Sequence, residues 1–229
     1  MVPLPRWIWI GGVSLSAVAG MVNVICYLGL SHQVVSHLTG PTSLLGYSLA
    51  RGSWQDVGFL WGILLAFCLG ATISGLVIQD STLRLGRRYG VVLILESIFI
   101  IVSIPLFERA SPWAVWIAAT ACGLQNAMAT TSSGAVLRTT HLTGMFTDLG
   151  IGLGHLLRGL PLPLHRLTLS GMIISGFLGG SIAGALLFEA LGYNGLWVPA
   201  ALTGGSGIAY IIYKQWLRHG GGERAKHGG

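Results

Sequence analysis

Charge is what this chain has least of. Of its 229 residues, 13 are Lys or Arg and 7 are Asp or Glu, 9% in all, against about 25% in an average soluble protein. So small a polar complement excludes an ordinary soluble domain. It also leaves no surface on which a nucleic acid would be bound. Cysteine is scarcer still: Cys26, Cys68 and Cys122 are an odd number, show no metal-ligand spacing and lie inside apolar stretches. They read as buried, reduced thiols, which excludes a disulfide framework and a cysteine metal centre. No cofactor and no metal are assigned.

What the chain has in abundance is apolar sequence, 52% of its residues. The expected class is an all-α polytopic membrane helix bundle forming a single membrane domain over 1–229, with the lipid bilayer as its first partner. Six stretches are long enough, or nearly so, to cross the hydrocarbon core: 7–30, 57–79, 90–107, 112–130, 168–188 and 195–213. The formal charge of +6 lies mainly in connecting segments and the tail, where it is a topology signal. Beyond Leu217 the tail is glycine and charge and is expected to be disordered over 218–229. At the other end, Arg6, the apolar run from Trp7 and the Ala17-Val18-Ala19 triplet imitate a secretory signal. The run continues to Leu30 and carries residues that recur later, so a retained first helix is expected.

The recurrence is the organising feature. His37-Leu38-Thr39-Gly40 returns as His141-Leu142-Thr143-Gly144, and Leu45-Gly46 returns as Leu149-Gly150 at the same offset of 104. Upstream, Gly20 and Asn23 match Gly123 and Asn126 at an offset of 103, so one residue is gained between amide and His. The chain thus divides into two copies of one unit, about 7–107 and about 112–213. In each copy the repeated phrase lies between apolar stretches, in a segment polar in its first half and apolar in its second. Such a segment is a re-entrant hairpin or a broken helix.

Charge placement separates the two topologies. With eight crossings, the loop of Arg84, Arg87 and Arg88 lies opposite the tail of Lys214, Arg218, Arg224 and Lys226. With about six spanning helices plus two interrupted or re-entrant ones, that loop, the segment of Arg158 and Arg166, and the tail share the cytoplasmic side. Three crossings per copy make the repeats inverted, which directs attention to the interface between them. Small residues recur every four positions at Gly58, Gly62, Ala66, Gly70 and Ser74, and again at Gly176, Gly180 and Gly184. Such stripes let helices pack closely, against the other copy or in a homodimer.

Candidate site residues follow from the breaks. Thr39-Gly40-Pro41 reads as a helix start, with Thr39 as N-cap and Pro41 in the first turn. The helix to Ala50 is then about ten residues, about 15 Å and half the hydrocarbon thickness. The second copy repeats this from Thr143-Gly144 into 145–157. Two half-helix N-termini would present unpaired N–H groups to one central cavity suited to a small polar or anionic solute. Asn23, His37, Thr39, Gly40, Thr42, Gln125, Asn126, Arg138, His141, Thr143 and Gly144 are the candidate substrate-binding set. The amides read equally as knitting helices together, and the histidines as proton relays or as caps. Asp148, placed in the first turn of the second half-helix where the first copy has Leu44, and Glu96, at depth in 90–107, are the candidate proton- or ion-coupling groups; Asp148 reads equally as a cap of its own helix and Glu96 as the partner of an Arg or His near the cytoplasmic face. Arg138 replaces Val34 and reads as a snorkelling anchor, an anion-attracting charge or a partner of Asp148.

Gly20-xx-Asn23, His37-Leu-Thr-Gly-Pro-Thr42 with Leu45-Gly46, and Gly123-Leu-Gln-Asn126 with His141-Leu-Thr-Gly144 resemble the YoaK-type family of bacterial membrane proteins, domain of unknown function 1275. The resemblance covers about 12–213 and implies a multi-pass protein of the bacterial inner membrane, with no established activity. Pro41 stands where that family carries Asn. From the residues, the expected function is a non-enzymatic transporter or channel for a small polar or anionic solute. A non-transporting membrane subunit or sensor is the alternative reading. A third, an intramembrane hydrolase using Ser132-Ser133-Gly134 with His141 or His155, lacks an orienting third group at fixed spacing.

Overall fold

The structure is a computed structural model that describes residues 6–29, 33–78, 88–132 and 139–226. Its described residues form α1 (Arg6–Leu28), α2 (Thr39–Arg51), α3 (Trp54–Val77), α4 (Arg88–Glu108), α5 (Trp113–Ser132), α6 (Leu142–Leu157), α7 (Leu164–Leu191), a 3-10 turn (Gly192–Leu196) and α8 (Trp197–Lys226). Every expected apolar stretch is a helix, and the two polar-then-apolar intervals each give a loop followed by a short helix. α8 is helical through the glycine- and charge-rich segment expected to be disordered, as far as Lys226.

Local signals set the boundaries. α2 stops at Arg51 because Gly52 takes a left-handed conformation at φ 69°. There the Gly52 and Ser53 N–H groups close back on the carbonyls of Leu49 and Ser48. The turn returns the chain directly into α3, so α2 and α3 form a helical hairpin. α4 and α5 form another, through 109–112.

Longer-range packing couples the first half of the chain to the second. α1 packs beside α7, α3 beside α5 and α4 beside α8, whereas α2 leans on α3 and α6 on α7. Glycines set these distances. A Cβ on Gly180 would overlap the Ala17 carbonyl oxygen, and one on Gly70 that of Thr120. Likewise a Cβ on Gly20 would overlap the Phe177 carbonyl, and one on Gly123 that of Phe67. Successive neighbours fix the helix senses: Gly176, Gly180 and Gly184 advance along α7 against Val13, Ala17 and Met21, so α1 and α7 are parallel. α3 and α5 are parallel in the same way, with Gly62 against Trp116 and Gly70 against Thr120 and Leu124. α4 and α8 are antiparallel, since Gly90 meets Gly207 while Ser97, further along α4, donates to the carbonyl of the earlier residue Ala200 at 2.7 Å.

The surface of the bundle inverts the soluble pattern. Leu65, Leu69 and Leu76 of α3, Leu178, Ile182 and Leu186 of α7, and Ile208, Ile212 and Trp216 of α8 are all exposed. Buried positions instead include Ser16, Asn23, Glu96, Ser97, Gln125 and Thr203. Apolar surface outside and hydrogen-bonding groups inside suit a hydrocarbon solvent. Among the described residues, four stretches are long and apolar enough to cross a membrane: Trp9–Leu28, Trp54–Val77, Arg88–Glu108 and Leu164–Trp216, the last running through α7 and into α8. α5 is not among them; Thr120, Gln125, Asn126 and Thr130 dilute its hydropathy. One thiol departs from expectation: Cys26 and Cys122 are buried, but Cys68 is exposed on the apolar outer face of α3.

Candidate functional site at the two helix breaks

Each repeated amide holds the loop that precedes a short helix. The Asn23 side-chain oxygen accepts hydrogen bonds from the Val35 N–H at 3.1 Å, the Ser36 N–H at 3.2 Å and the Ser36 hydroxyl at 2.9 Å. In the second copy, Asn126 accepts from the Thr140 hydroxyl at 3.2 Å. Ser36 and Thr140 correspond at the offset of the repeated His, so each loop is pinned by a hydroxyl immediately before that His. Gln125 acts elsewhere. Its amide donates to the Leu15 carbonyl at 3.0 Å and ties α5 to α1.

Helix α1 carries both loops. Seven positions before Asn23, on the same helical face, Ser16 donates to the Thr139 carbonyl at 2.9 Å. Seven residues rise about 10 Å. The two break loops are therefore fastened to one face of α1 at heights about 10 Å apart, although α2 and α6 themselves do not touch.

The helix starts differ from the sequence reading. Thr39 is the first residue of α2 and not its cap; Leu38 precedes it with helical dihedrals, and neither α2 nor α6 has a side-chain cap. Consequently Pro41 is the third helical residue and is buried. The hydroxyls of Thr42, Ser43 and Thr147 instead bond back to the carbonyls of Leu38, Thr39 and Thr143 at 2.8, 3.0 and 2.9 Å. With no cap, the first-turn N–H groups stay available to a ligand or to water. Away from α3 and α7, the two short helices expose matching small and polar faces. Thr39, Ser43, Gly46 and Ala50 line one, and Thr143, Thr147, Gly150 and Gly154 the other.

The remaining candidates divide. His37 is half-buried, with Nδ1 2.8 Å from the Ser36 hydroxyl and its ring 6.0 Å from that of Phe177. It lies outside the four apolar spans, and burial lowers its pKa below the ordinary histidine value. His141 is exposed, and its ring folds over Gly144. Gly40 and Thr143 are exposed at the breaks. Asp148 is not in the first turn of α6. It lies in the second turn and forms a two-point ion pair with Arg166 of α7, at 2.6 and 2.8 Å. Glu96 is 2% exposed and its Oε2 has no hydrogen-bond partner. Arg138, Ser133 and Gly134 lie outside the described residues. A shallow groove between α1 and α7, lined by Val13, Thr168, Gly171, Met172, Ser175 and Gly176, includes none of the candidates. Ser16, Ser36, Thr139 and Thr140 were missed by the sequence reading. Only the hydroxyl preceding each repeated His gave a signal for two of them.

An apolar exterior, buried hydroxyl, amide and carboxyl groups and four stretches long and apolar enough to cross a bilayer define a helical protein of membrane type. The chain belongs to the family of proteins of unknown function DUF1275, whose model matches residues 11–209. No curated protein and no solved structure matches it.

Proposed function

We propose that the chain is a membrane transporter or channel for a small polar or anionic solute, with its site between the two helix breaks. One observation carries this reading: Ser16 and Asn23, on one face of α1, hold the loops that open two uncapped short helices. Non-helical backbone at membrane depth is tolerated where it is buried in protein or lines a water-filled cavity. Uncapped N-termini at such a place favour anionic or hydrogen-bonding groups.

The packing supports six crossings in two inverted repeats, and the placement of Arg and Lys in the loops and tail argues for both termini on the cytoplasmic side of a bacterial inner membrane. If α2 and α6 are re-entrant, α1 and α7 run one way, α3 and α5 the other, and α4 opposes α8. Those are the senses set by the glycine contacts. Eight crossings would make α4 and α8 parallel. Matching contacts at Gly20 with Phe177 and Gly123 with Phe67 are what a two-fold relation between copies requires, and rocking of one copy on the other would expose the breaks alternately. A homodimer through the exposed small-residue faces is compatible with this arrangement.

The test is thermal stabilisation of detergent-purified protein by small inorganic anions, organic acids, amino acids and nucleobases, followed by flux in liposomes. A stabilising solute should be transported, and Thr39→Val and Thr143→Val should each weaken its binding about ten-fold, the loss of roughly one hydrogen bond to a charged group. Binding that is retained with no flux would identify a non-transporting sensor or subunit instead. Stabilisation unchanged in both variants would remove the breaks from the site.

A further inference from the structure

Glu96 is the buried group that the break geometry leaves unused. It lies twelve residues before the end of α4 at Glu108, and Gln125 lies twelve residues after the start of α5 at Trp113. Across the α4–α5 hairpin the two are therefore level. Gln125 bonds to Leu15 and Ser97 to Ala200. Together with Ser16, these residues form a polar layer through α1, α4, α5 and α8. Two hydrophobic clusters flank it: one contains Ile100, Ile104 and Phe107, the other Val92, Leu93 and Met128.

Within this layer Ser16, Ser97 and Gln125 each donate to a main-chain carbonyl, whereas the Thr139 hydroxyl beside Ser16 and the Glu96 carboxyl have unpartnered oxygens. The Ser97 and Ser16 hydroxyls and one N–H of Gln125 go to these carbonyls at 2.7, 2.9 and 3.0 Å. The Oε2 atom of Glu96 receives nothing. Among the described residues Asp148 is ion-paired with Arg166, and no cation is paired with Glu96. The titratable groups facing it from the packed elements carry no positive charge: the Cys122 thiol on α5 and the Tyr89 phenol on its own helix. On α8, Tyr210 meets Tyr89 edge-on, and Lys214 sits over the Tyr210 ring at 5.7 Å. α3 offers Cys68, which is exposed, and the 3-10 turn offers Tyr193, stacked on Phe107. A buried carboxylate with neither donor nor counter-charge is strongly disfavoured, and its protonated form is the one this layer accommodates. A metal cation would need several oxygen ligands, and among the described residues no group of three or more His, Cys, Asp or Glu side chains is placed to supply them.

We infer that Glu96 is the proton-binding group of the transport cycle: it takes a proton from water on one face of the membrane and releases it to the other. This rests on the transport reading above. It assigns coupling to Glu96 and leaves Asp148, already paired with Arg166, a structural role. The chemistry is proton exchange alone, carboxylate plus proton to carboxylic acid and back. Asp148 is the internal contrast, an acid whose partner is always present.

The test reads the proton without requiring the solute. Wild-type protein in liposomes is treated with dicyclohexylcarbodiimide, which attacks carboxyl groups in their protonated form in apolar surroundings, at about pH 6 and about pH 9, either side of the neutral range. The adduct is then located by mass spectrometry. Expected is an adduct on Glu96, several-fold weaker at the higher pH, and none at that position in Glu96→Gln. No adduct on Glu96 at either pH overturns the inference. So does equal labelling at both, which would mark a structural carboxylic acid that never exchanges. Should Glu96→Gln fail to fold, the wild-type pH dependence still decides. Exchange at Glu96 without flux of any solute would retain the proton site and sink the transport reading, so the two fail separately.

Discussion

Asn23 and Asn126 occupy matching positions but carry unequal loads. Asn23 satisfies two backbone N–H groups and one hydroxyl in a buried loop, and Asn126 satisfies a single hydroxyl. Removing an acceptor from buried backbone donors costs about 1–3 kcal/mol. Asn23→Ala should therefore lower stability by about 2–3 kcal/mol, and Asn126→Ala by about 1 kcal/mol, measured by thermal unfolding in one detergent. Equal losses would mean that the loops are held by something other than the amides. The sequence made both amides legible as a matched pair and left their role open between substrate contact and knitting. It did not point to Ser16 or Thr139. Their pairing joins residues 123 positions apart, and no local pattern encodes a contact at that range.

At the level of elements, helix existence is readable from apolar runs and helix ends are not. Thr39 has the residue type of a cap, but its hydroxyl is not used and the neighbouring hydroxyls bond backward to carbonyls. Asp148 falls one turn later than its spacing from Thr143 suggests, because α6 begins at Leu142. The glycine stripes are legible as packing surfaces, yet which helix each meets is not. Gly180 and Gly179 are adjacent in sequence, and only Gly180 faces α1. Gly180→Val should separate α1 from α7 and destabilise the protein by at least about 1–3 kcal/mol, the range for overpacking. Gly179→Val, with open space around its added atoms, should change the unfolding temperature little. Comparable losses from both would show that the α1–α7 contact does not govern stability.

For the whole molecule, the number of crossings fixes which loops share a face. Six crossings place the α2–α3 turn at Ser53, the α4–α5 turn at Ser111 and the 3-10 turn together outside the cell. Eight place Ser53 and Ser111 inside. With Cys26, Cys68 and Cys122 replaced, Ser53→Cys and Ser111→Cys should both react with a membrane-impermeant thiol reagent in intact cells. Protection of both until the membrane is opened would sink six crossings with a cytoplasmic N-terminus.

The sequence by itself determined the solvent and the repeat. Scarcity of charge and long apolar runs leave a bilayer as the medium, and matched residues at offsets of 103 and 104 mark a motif used twice, because both are properties of composition and spacing. Only the tertiary structure decided which helices pair and what each polar group does. Parallel α1 and α7, antiparallel α4 and α8, the pairing of Asp148 with Arg166 and the solitude of Glu96 depend on contacts between residues far apart in the chain. Those contacts are selected by shape, where a glycine admits a facing backbone, and by the need to satisfy donors and charges away from water.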